Sequence, residues 1–391
     1  MVTFLFWASF LVIFYTYIGY AMLLWGLVQL KKMFFKAIPY QKIAENDLPS
    51  LSIVIAAYNE VDFITQKIEN TLALNYPKNK LEYIFVTDGS TDETPEIVAR
   101  YSEIRLFHSS ERKGKMAAIQ RVMPDVKNEI VVFTDANTLL NKNALRNIVR
   151  HYQNEKIGAV AGEKRIQVAD ADDASSAGEG FYWRYESKLK TWDFDLYSVV
   201  GAAGELFSVR RKLYEDVPHD TIIEDFYMTL KIAQKGYRVA YEPQAFAIET
   251  ASASVKEELK RKVRIAAGGL QAIFRLRDLL NPFKYGVLSF QYVSHRVLRW
   301  TIAPLMLPLF LLCNLILAQT STFYQFVLTF HLLFYFMAFI GFLLKNKELK
   351  IKIFFIPYYF CIMNYAVYSG FLRITKNKQS AIWEKAERKI S

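Results

Sequence analysis

The sequence predicts an α/β protein built on a parallel, doubly wound sheet and flanked at both ends by apolar segments suited to a bilayer. Three observations predict it. Strand-like apolar runs alternate with helix-spaced segments from residue 51 to about residue 152. The apolar run at 130–133 passes at once into Thr134, Asp135, Ala136 and Asn137, the polar ending expected where a buried strand meets the ligand-binding rim of such a sheet. No charged residue occurs from Met1 to Leu30 or from Thr301 to Leu344, and 353–372 is apolar again. About 20 apolar residues cross a bilayer, so each of these regions is a candidate span.

In chain order, residues 1–30 form the first transmembrane helix. A cleaved leader fits less well, because no positive residue precedes the run and Lys31, Lys32 and Lys36 follow it. Those lysines put the next unit in the cytoplasm. Residues 31–50 read as a basic linker. LSIVIAA at 51–57 is the first strand, ended by Tyr58, Asn59 and Glu60. Ile64, Ile68 and Leu72 share a helical face. LEYIFV at 81–86 is a second strand, closed by TDGSTD, and Pro95 suits the first turn of a helix at 94–101. A short strand at 104–107 leads to ERKGK and a helix ending near Val122. After the apolar strand that begins at 130 comes a helix at 143–152.

From residue 157 the alternation becomes irregular. A strand at 157–161 precedes an aromatic, charged helix at 177–192. Gly201 and Gly204 lie in 198–209, and TIIEDF at 221–226 runs into a helix stopped by Gly236. A strand at 237–241 follows. The catalytic unit is thus placed at 51–255. Residues 256–299 carry basic amphipathic helices that suit a membrane surface, 300–372 hold two or three spans, and 373–391 are a basic tail. Three C-terminal spans would put that tail outside, against the preference of Arg373, Lys376, Lys378, Lys385, Arg388 and Lys389 for the cytoplasm.

The net charge of +11 is explained by these flanks: Lys31, Lys32, Lys36, Arg296, Arg299, Lys345, Lys347, Lys350 and Lys352 border apolar stretches, where anionic lipid head groups lie. No nucleic-acid motif accompanies the charge. Cys313 and Cys361 both sit in apolar segments and supply neither a metal site nor a disulfide framework. Neither GxxxxGK[ST] nor a GxGxxG after the first strand is present, which argues against a P-loop hydrolase and a nicotinamide enzyme.

Candidate chemistry follows from oxygen and cation placement. Asp135 and Asn137 offer paired oxygens that suit a hard divalent cation carrying a diphosphate; an Asp/Asn turn alone accounts for the same residues. Asp88 opens a DGS turn and can accept a hydrogen bond from a base or ribose, although turn capping needs the same residue. Lys115 stands near a helix N-terminus, where backbone N–H groups and a cation meet phosphate. Glu224 and Asp225 raise each other's pKa, so one can act as general base; favourable charge at a helix start is the other role open to them. Together these residues read as metal-assisted group transfer from a nucleotide donor.

SIVIAAYNE, VTDGSTDET, FTDANT, GAAGELFSVRR and IIEDF occur in the order and rough spacing of glycosyltransferase family 2. The resemblance covers about residues 50–270, and the flanks are similar to the membrane-bound branch that includes chitooligosaccharide, hyaluronan and poly-N-acetylglucosamine synthases. It implies a GT-A (Rossmann-like) domain. By match, Ala56, Tyr58, Glu60 and Asp88 would contact the uridine part of a UDP-sugar, and Lys115 would approach the donor. Asp135 and Asn137 match the DxD motif, which would hold Mg2+ or Mn2+ and the diphosphate. Asp225, beside Glu224, matches the general base of a single inverting displacement onto a glycan or lipid-linked acceptor hydroxyl. Two departures stand out: Asn137 replaces the second acid, and RKVRI at 261–265 replaces QxxRW, keeping Arg264 for the diphosphate. Trp183, Tyr185 and Trp192 would offer acceptor stacking surfaces in place of the missing tryptophan. A membrane-anchored scaffold on a retired catalytic fold is the non-enzymatic alternative.

Overall fold

The apolar runs between residues 51 and 134 are buried on both faces, and that burial builds the sheet. The computed structural model describes residues 1–35, 40–167, 174–250, 255–344 and 352–376. The chain enters through α1 (Val2–Phe34), which is interrupted by a π-helical turn at Tyr15–Gly19. β1 (Leu51–Ala57), α2 (Val61–Leu72), β2 (Leu81–Asp88), α3 (Thr94–Ala99), β3 (Ile104–Ser109), α4 (Lys115–Val122) and β4 (Ile130–Thr134) then alternate as the sequence predicts. Their strands pair in parallel in the order β3-β2-β1-β4. Phe85 and Phe133 are fully buried, each a gain of roughly 1.5–3 kcal/mol over exposure.

Beyond β4 the sheet turns mixed. After β5 (Thr138–Leu140) and α5 (Ala144–Val149), β6 (Ile157–Gln167) leads into α6 (Ala174–Leu196), then β7 (Leu206–Arg210), α7 (Glu224–Gln234) and β8 (Arg238–Thr250). β7 inserts antiparallel between β4 and β6, β8 pairs parallel with β6, and β5 closes the edge antiparallel to β8. The all-parallel expectation therefore holds for the first four strands and the β6–β8 pair, and fails at β7 and β5. Between β6 and β7 the chain runs through α6, which packs on β8 through Ser187 and Tyr241 and on α1 through Leu189, Tyr20 and Leu24, and it returns from there as an antiparallel strand.

The C-terminal part comprises α8 (Val255–Arg275), α9 (Val287–Trp300), α10 (Ile302–Leu317), α11 (Thr322–Leu344) and α12 (Lys352–Thr375). Among the described residues, α1 and α11 are long and apolar enough to cross a membrane, and α9 with α10, bent by 54°, make a third span if counted as one. α12 does not qualify, although its sequence suggested a span. It packs against α8, where Gly370 approaches the Ala267 backbone. The apolar face of α8, expected on a lipid surface, is occupied within the protein: Val263, Ala266 and Ala267 are buried, and Gly268 meets Ile223.

The lysines in the last turn of α1 have a second use. Lys31 Nζ donates to the Asp195 and Leu196 carbonyls at 2.7 and 2.8 Å, placing a cation on the C-terminal end of α6. The flanking residues Lys36, Lys345, Lys347 and Lys350, and the tail beyond residue 376, lie outside the described residues.

Candidate active site

β4 ends at Thr134, so Asp135 emerges at the rim of the sheet. α4 begins at Lys115 and α7 begins at Glu224. These three element ends converge. Lys115 Nζ lies 2.7 Å from Asp135 Oδ1 and 2.8 Å from Glu224 Oε1, bridging two acids that are almost ninety residues apart. The pocket around them is also lined by His219, Thr221 and Arg264. Gly204 stands beside both the cation and the second acid of α7: a Cβ there would sit 3.4 Å from Lys115 Nζ and 3.6 Å from Asp225 Oδ2.

The electrostatics separate the two neighbouring acids of α7. Burial pushes both upward, but the Lys115 ammonium outweighs it at Glu224, which is held below the usual carboxylate range. At Asp225, burial and then the Glu224 charge outweigh the more distant pull of Lys115 and push the carboxyl up to about 7. Burial also raises Asp135, against the pull of Lys115. Lys115 itself is opposed by burial, yet its two carboxylates keep it charged well above the ordinary lysine range. The result is one group poised to take a proton near neutrality beside an ion-paired cation.

The β4–β5 turn is held from behind by a residue the sequence reading passed over. Lys67 of α2 is fully buried and donates to the Thr138 carbonyl at 2.7 Å and Thr134 Oγ1 at 3.0 Å. Its neighbours Ile64, Ile68 and Thr71 mark the same buried face, a signal available from helical spacing. His219 and Thr221 were also missed, since nothing in a loop before a helix marks them as pocket-lining.

The remaining candidates take these places. Asp88 Oδ2 accepts from the Lys113 and Gly114 amides at 2.9 and 2.6 Å, and Oδ1 lies 3.5 Å from Arg121. It thereby orders the loop that delivers Lys115. Gly89 beside it needs its positive φ of 69°, and a Cβ would fall 2.5 Å from Arg112. Arg112 stacks on Tyr58 at 3.7 Å from the ring centroid. Glu60 is buried at the start of α2 and Ala56 is half-buried on β1. Asn137 is half-buried in the β4–β5 turn. Trp183 faces Lys164 and Lys262, at 5.3 and 5.2 Å. Tyr185 and Trp192 occupy the face of α6 turned to α1, where Tyr185 Oη donates to the Tyr17 carbonyl. The donor candidates thus gather along one rim, while two of the three aromatic candidates pack against the membrane helix.

Residues 52–217 match the family model described as Glycosyl transferase family 2. This stretch is similar to glycosyltransferase family 2 domains. Among curated relatives, the chain is 28% identical over 249 residues to the poly-beta-1,6-N-acetyl-D-glucosamine synthase of Staphylococcus aureus, covering 61% of this chain and 58% of that protein. It is 30% identical over 223 residues to the beta-monoglucosyldiacylglycerol synthase of a Nostoc species, covering 53% and 46%. The chain therefore spans about half the length of these relatives. A solved structure, the mannosyltransferase PcManGT from Pyrobaculum calidifontis in complex with GDP-Man and Mn2+, shares the fold with a TM-score of 0.70 and 22% identity, covering 97% of this chain and 100% of that one. The matched stretch supplies β1 to β7 with Asp88, Lys115 and Asp135, whereas Glu224, Asp225 and Arg264 come from beyond it.

Proposed function

We propose that this chain is a membrane-bound inverting glycosyltransferase that moves a sugar from a nucleotide sugar, UDP-linked, to a hydroxyl of a glycan or lipid-linked acceptor. The observation that carries the reading is the meeting of Asp135 and Glu224 on Lys115, with Asp225 alongside, at the rim of a domain similar to those of family 2. In the reaction, the Asp225 carboxylate takes the acceptor hydroxyl proton as its oxygen attacks the anomeric carbon from the face opposite the leaving group. The bond to the nucleoside diphosphate breaks, and Lys115 and Arg264 meet the charge that develops on it. The glycosidic linkage inverts from α to β. Tyr58, Glu60 and Asp88 line the approach for the base and ribose, and Trp183, beside Lys164 and Lys262, is the acceptor-side aromatic.

The residues fit a divalent cation brought in with the diphosphate. Among the described residues no group of three or more His, Cys, Asp or Glu side chains is arranged to cage a metal. Asp135 and Asn137 would hold Mg2+ or Mn2+ with one carboxylate and one amide oxygen. Such an ion supplies charge neutralisation at the leaving diphosphate.

The membrane-facing helices support a multi-pass arrangement with the catalytic unit cytoplasmic, since Lys31 and Lys32 follow the apolar part of α1. The test is release of nucleoside diphosphate by the purified full chain, offered UDP-sugars and GDP-mannose with Mn2+ or Mg2+. Acceptor-stimulated release that disappears in Asp225→Asn supports the reading. Silence with every donor, with and without metal, overturns it.

A further inference from the structure

Beneath the pocket lies S-H-R-V-L-R-W at 294–300, in the π-helical turn and last turn of α9, where Arg296 and Arg299, expected at lipid head groups, instead pair with Glu186 inside the protein. It joins three parts of the molecule. His295 is fully buried, with Nδ1 2.5 Å from Asp193 Oδ2 and Nε2 3.3 Å from Glu186 Oε2. Asp193 also accepts from Tyr20 Oη of α1 at 2.5 Å. Glu186 is buried as well and pairs with Arg296 at 2.6 Å and Arg299 at 3.2 Å. Burying so many ionised groups is costly unless every one is paired, and here α1, α6 and α9 are tied by mutual need.

The other end of the segment reaches the reacting groups. Arg296 Nε donates to the Val200 carbonyl at 3.2 Å. The next residue, Gly201, has φ of 95° and leaves room for the Phe226 ring, whose nearest carbon would be 2.1 Å from a Cβ. Ala202 N–H donates to Thr229 Oγ1, and Thr229 Oγ1 donates to the Asp225 carbonyl at 2.7 Å. Trp300 lies edge-on to Phe226 with centroids 5.3 Å apart, and its other side fills the space where Gly269 of α8 has no side chain. The indole is thus wedged between the start of α7, which carries Asp225, and the helix that carries Arg264.

We propose that Arg296 and Trp300 are positioning residues for the proposed transfer. From below, they seat the 200–204 loop and the first turn of α7, and through His295, Asp193 and Tyr20 they tie that seat to the membrane helix. Residue identity fits the task. A guanidinium can pair with Glu186 and still donate to a carbonyl, which an ammonium does with less geometric control. A flat indole fills a slot between a ring and a glycine.

The inference rests on the transfer reading, and the test separates the two. Full-length wild type and the variants Trp300→Leu, Trp300→Phe, Arg296→Met and Arg296→Lys are purified with lipid. Donor KM, kcat and deuterium exchange of peptides covering 198–206 are measured. Trp300→Leu and Arg296→Met are expected to lower kcat by about a hundredfold, the scale of a misplaced reacting group, with donor KM changed by less than about threefold. Exchange in 198–206 should rise while that of β1 stays as in wild type. Trp300→Phe and Arg296→Lys should each recover part of the lost kcat. If Trp300→Leu does not fold, Arg296→Met and Arg296→Lys carry the comparison. A wild-type kcat in either truncating variant, or a parallel loss of kcat and donor affinity with faster exchange throughout β1, overturns the proposal. A wild type that turns over no sugar nucleotide overturns the transfer reading instead.

Discussion

At the scale of single residues, the adjacent acids of α7 divide the work by their surroundings. Asp225 must be ionised to accept a proton, and its pKa is about 7. Activity under kcat/KM conditions is therefore expected to fall about tenfold per pH unit below that value and to level off above it. The Glu224 charge is one of the causes that hold Asp225 up. Removing it in Glu224→Gln lowers the Asp225 pKa, so the acidic limb of a pH–rate profile should move to lower pH. A limb that stays in place would mean that burial alone sets the value. Lys115 makes a second residue-scale prediction. It is mostly buried and holds two carboxylates within 2.8 Å. Lys115→Met removes the cation that would meet the diphosphate and should weaken nucleoside diphosphate binding by roughly ten- to a hundredfold, the range of one charge-assisted bond, as read by calorimetry. This part of the site was legible in the sequence because TDAN, GK and ED each stand at the boundary of a strand or helix. The partnership of Lys115 with both acids was not, because pairing across almost ninety residues is a property of strand order.

At the scale of elements, the first four strands were readable because each is a continuous apolar run bounded by turn residues. The reversal after β4 was not readable, because strand direction is set by where the intervening helix packs. α6 carries Leu189 and Trp192 toward α1, and no periodicity in its own sequence names that partner. The same blindness hid Lys67. A lysine in a helix is ordinarily solvated, yet this one is buried and its pKa is lowered to about 7, chiefly by burial. Lys67→Met keeps the volume but removes the donor to the Thr138 carbonyl and the Thr134 hydroxyl, so it should destabilise the domain by about 1–3 kcal/mol. The linkage has a definite sign. Between about pH 7 and 10 the unfolded lysine is protonated and the folded one is not, so the unfolded state binds more protons and stability rises with pH. Thermal melts of wild type and Lys67→Met should therefore draw apart as pH rises through that window. A gap independent of pH would show that Lys67 stays charged in the folded protein.

For the whole molecule, the proposed multi-pass arrangement removes the conflict between the basic tail and the count of spans once α12 is set aside as a crossing. α1, the bent α9–α10 pair and α11 then make three passages. Phe6 of α1 packs with Cys313 and Leu317 of α10, so the early part of α1 and the end of α10 lie at the same depth. The opposite level is marked by Tyr20, whose ring meets those of Phe290 and His295 just before α10 begins. α11 then returns the chain toward the catalytic unit. α12 stays with it, through Tyr368 Oη on the Pro304 carbonyl and Gly370 on α8. On this arrangement the turn at 318–321 is on the far side and the end of α12 is on the catalytic side, in keeping with Arg373 and Lys376. A Thr320→Cys variant should therefore react with an impermeant maleimide in intact cells, while a protease-cleavable tag fused to the C-terminus should be cut only in inverted vesicles. Cys313 is buried and Cys361 half-buried, so the native thiols should add little background, and wild type labelled in parallel measures it. Cleavage of the tag in intact cells would require α12, or a segment after α11, to cross the bilayer, and would detach α12 from the helix that carries Arg264.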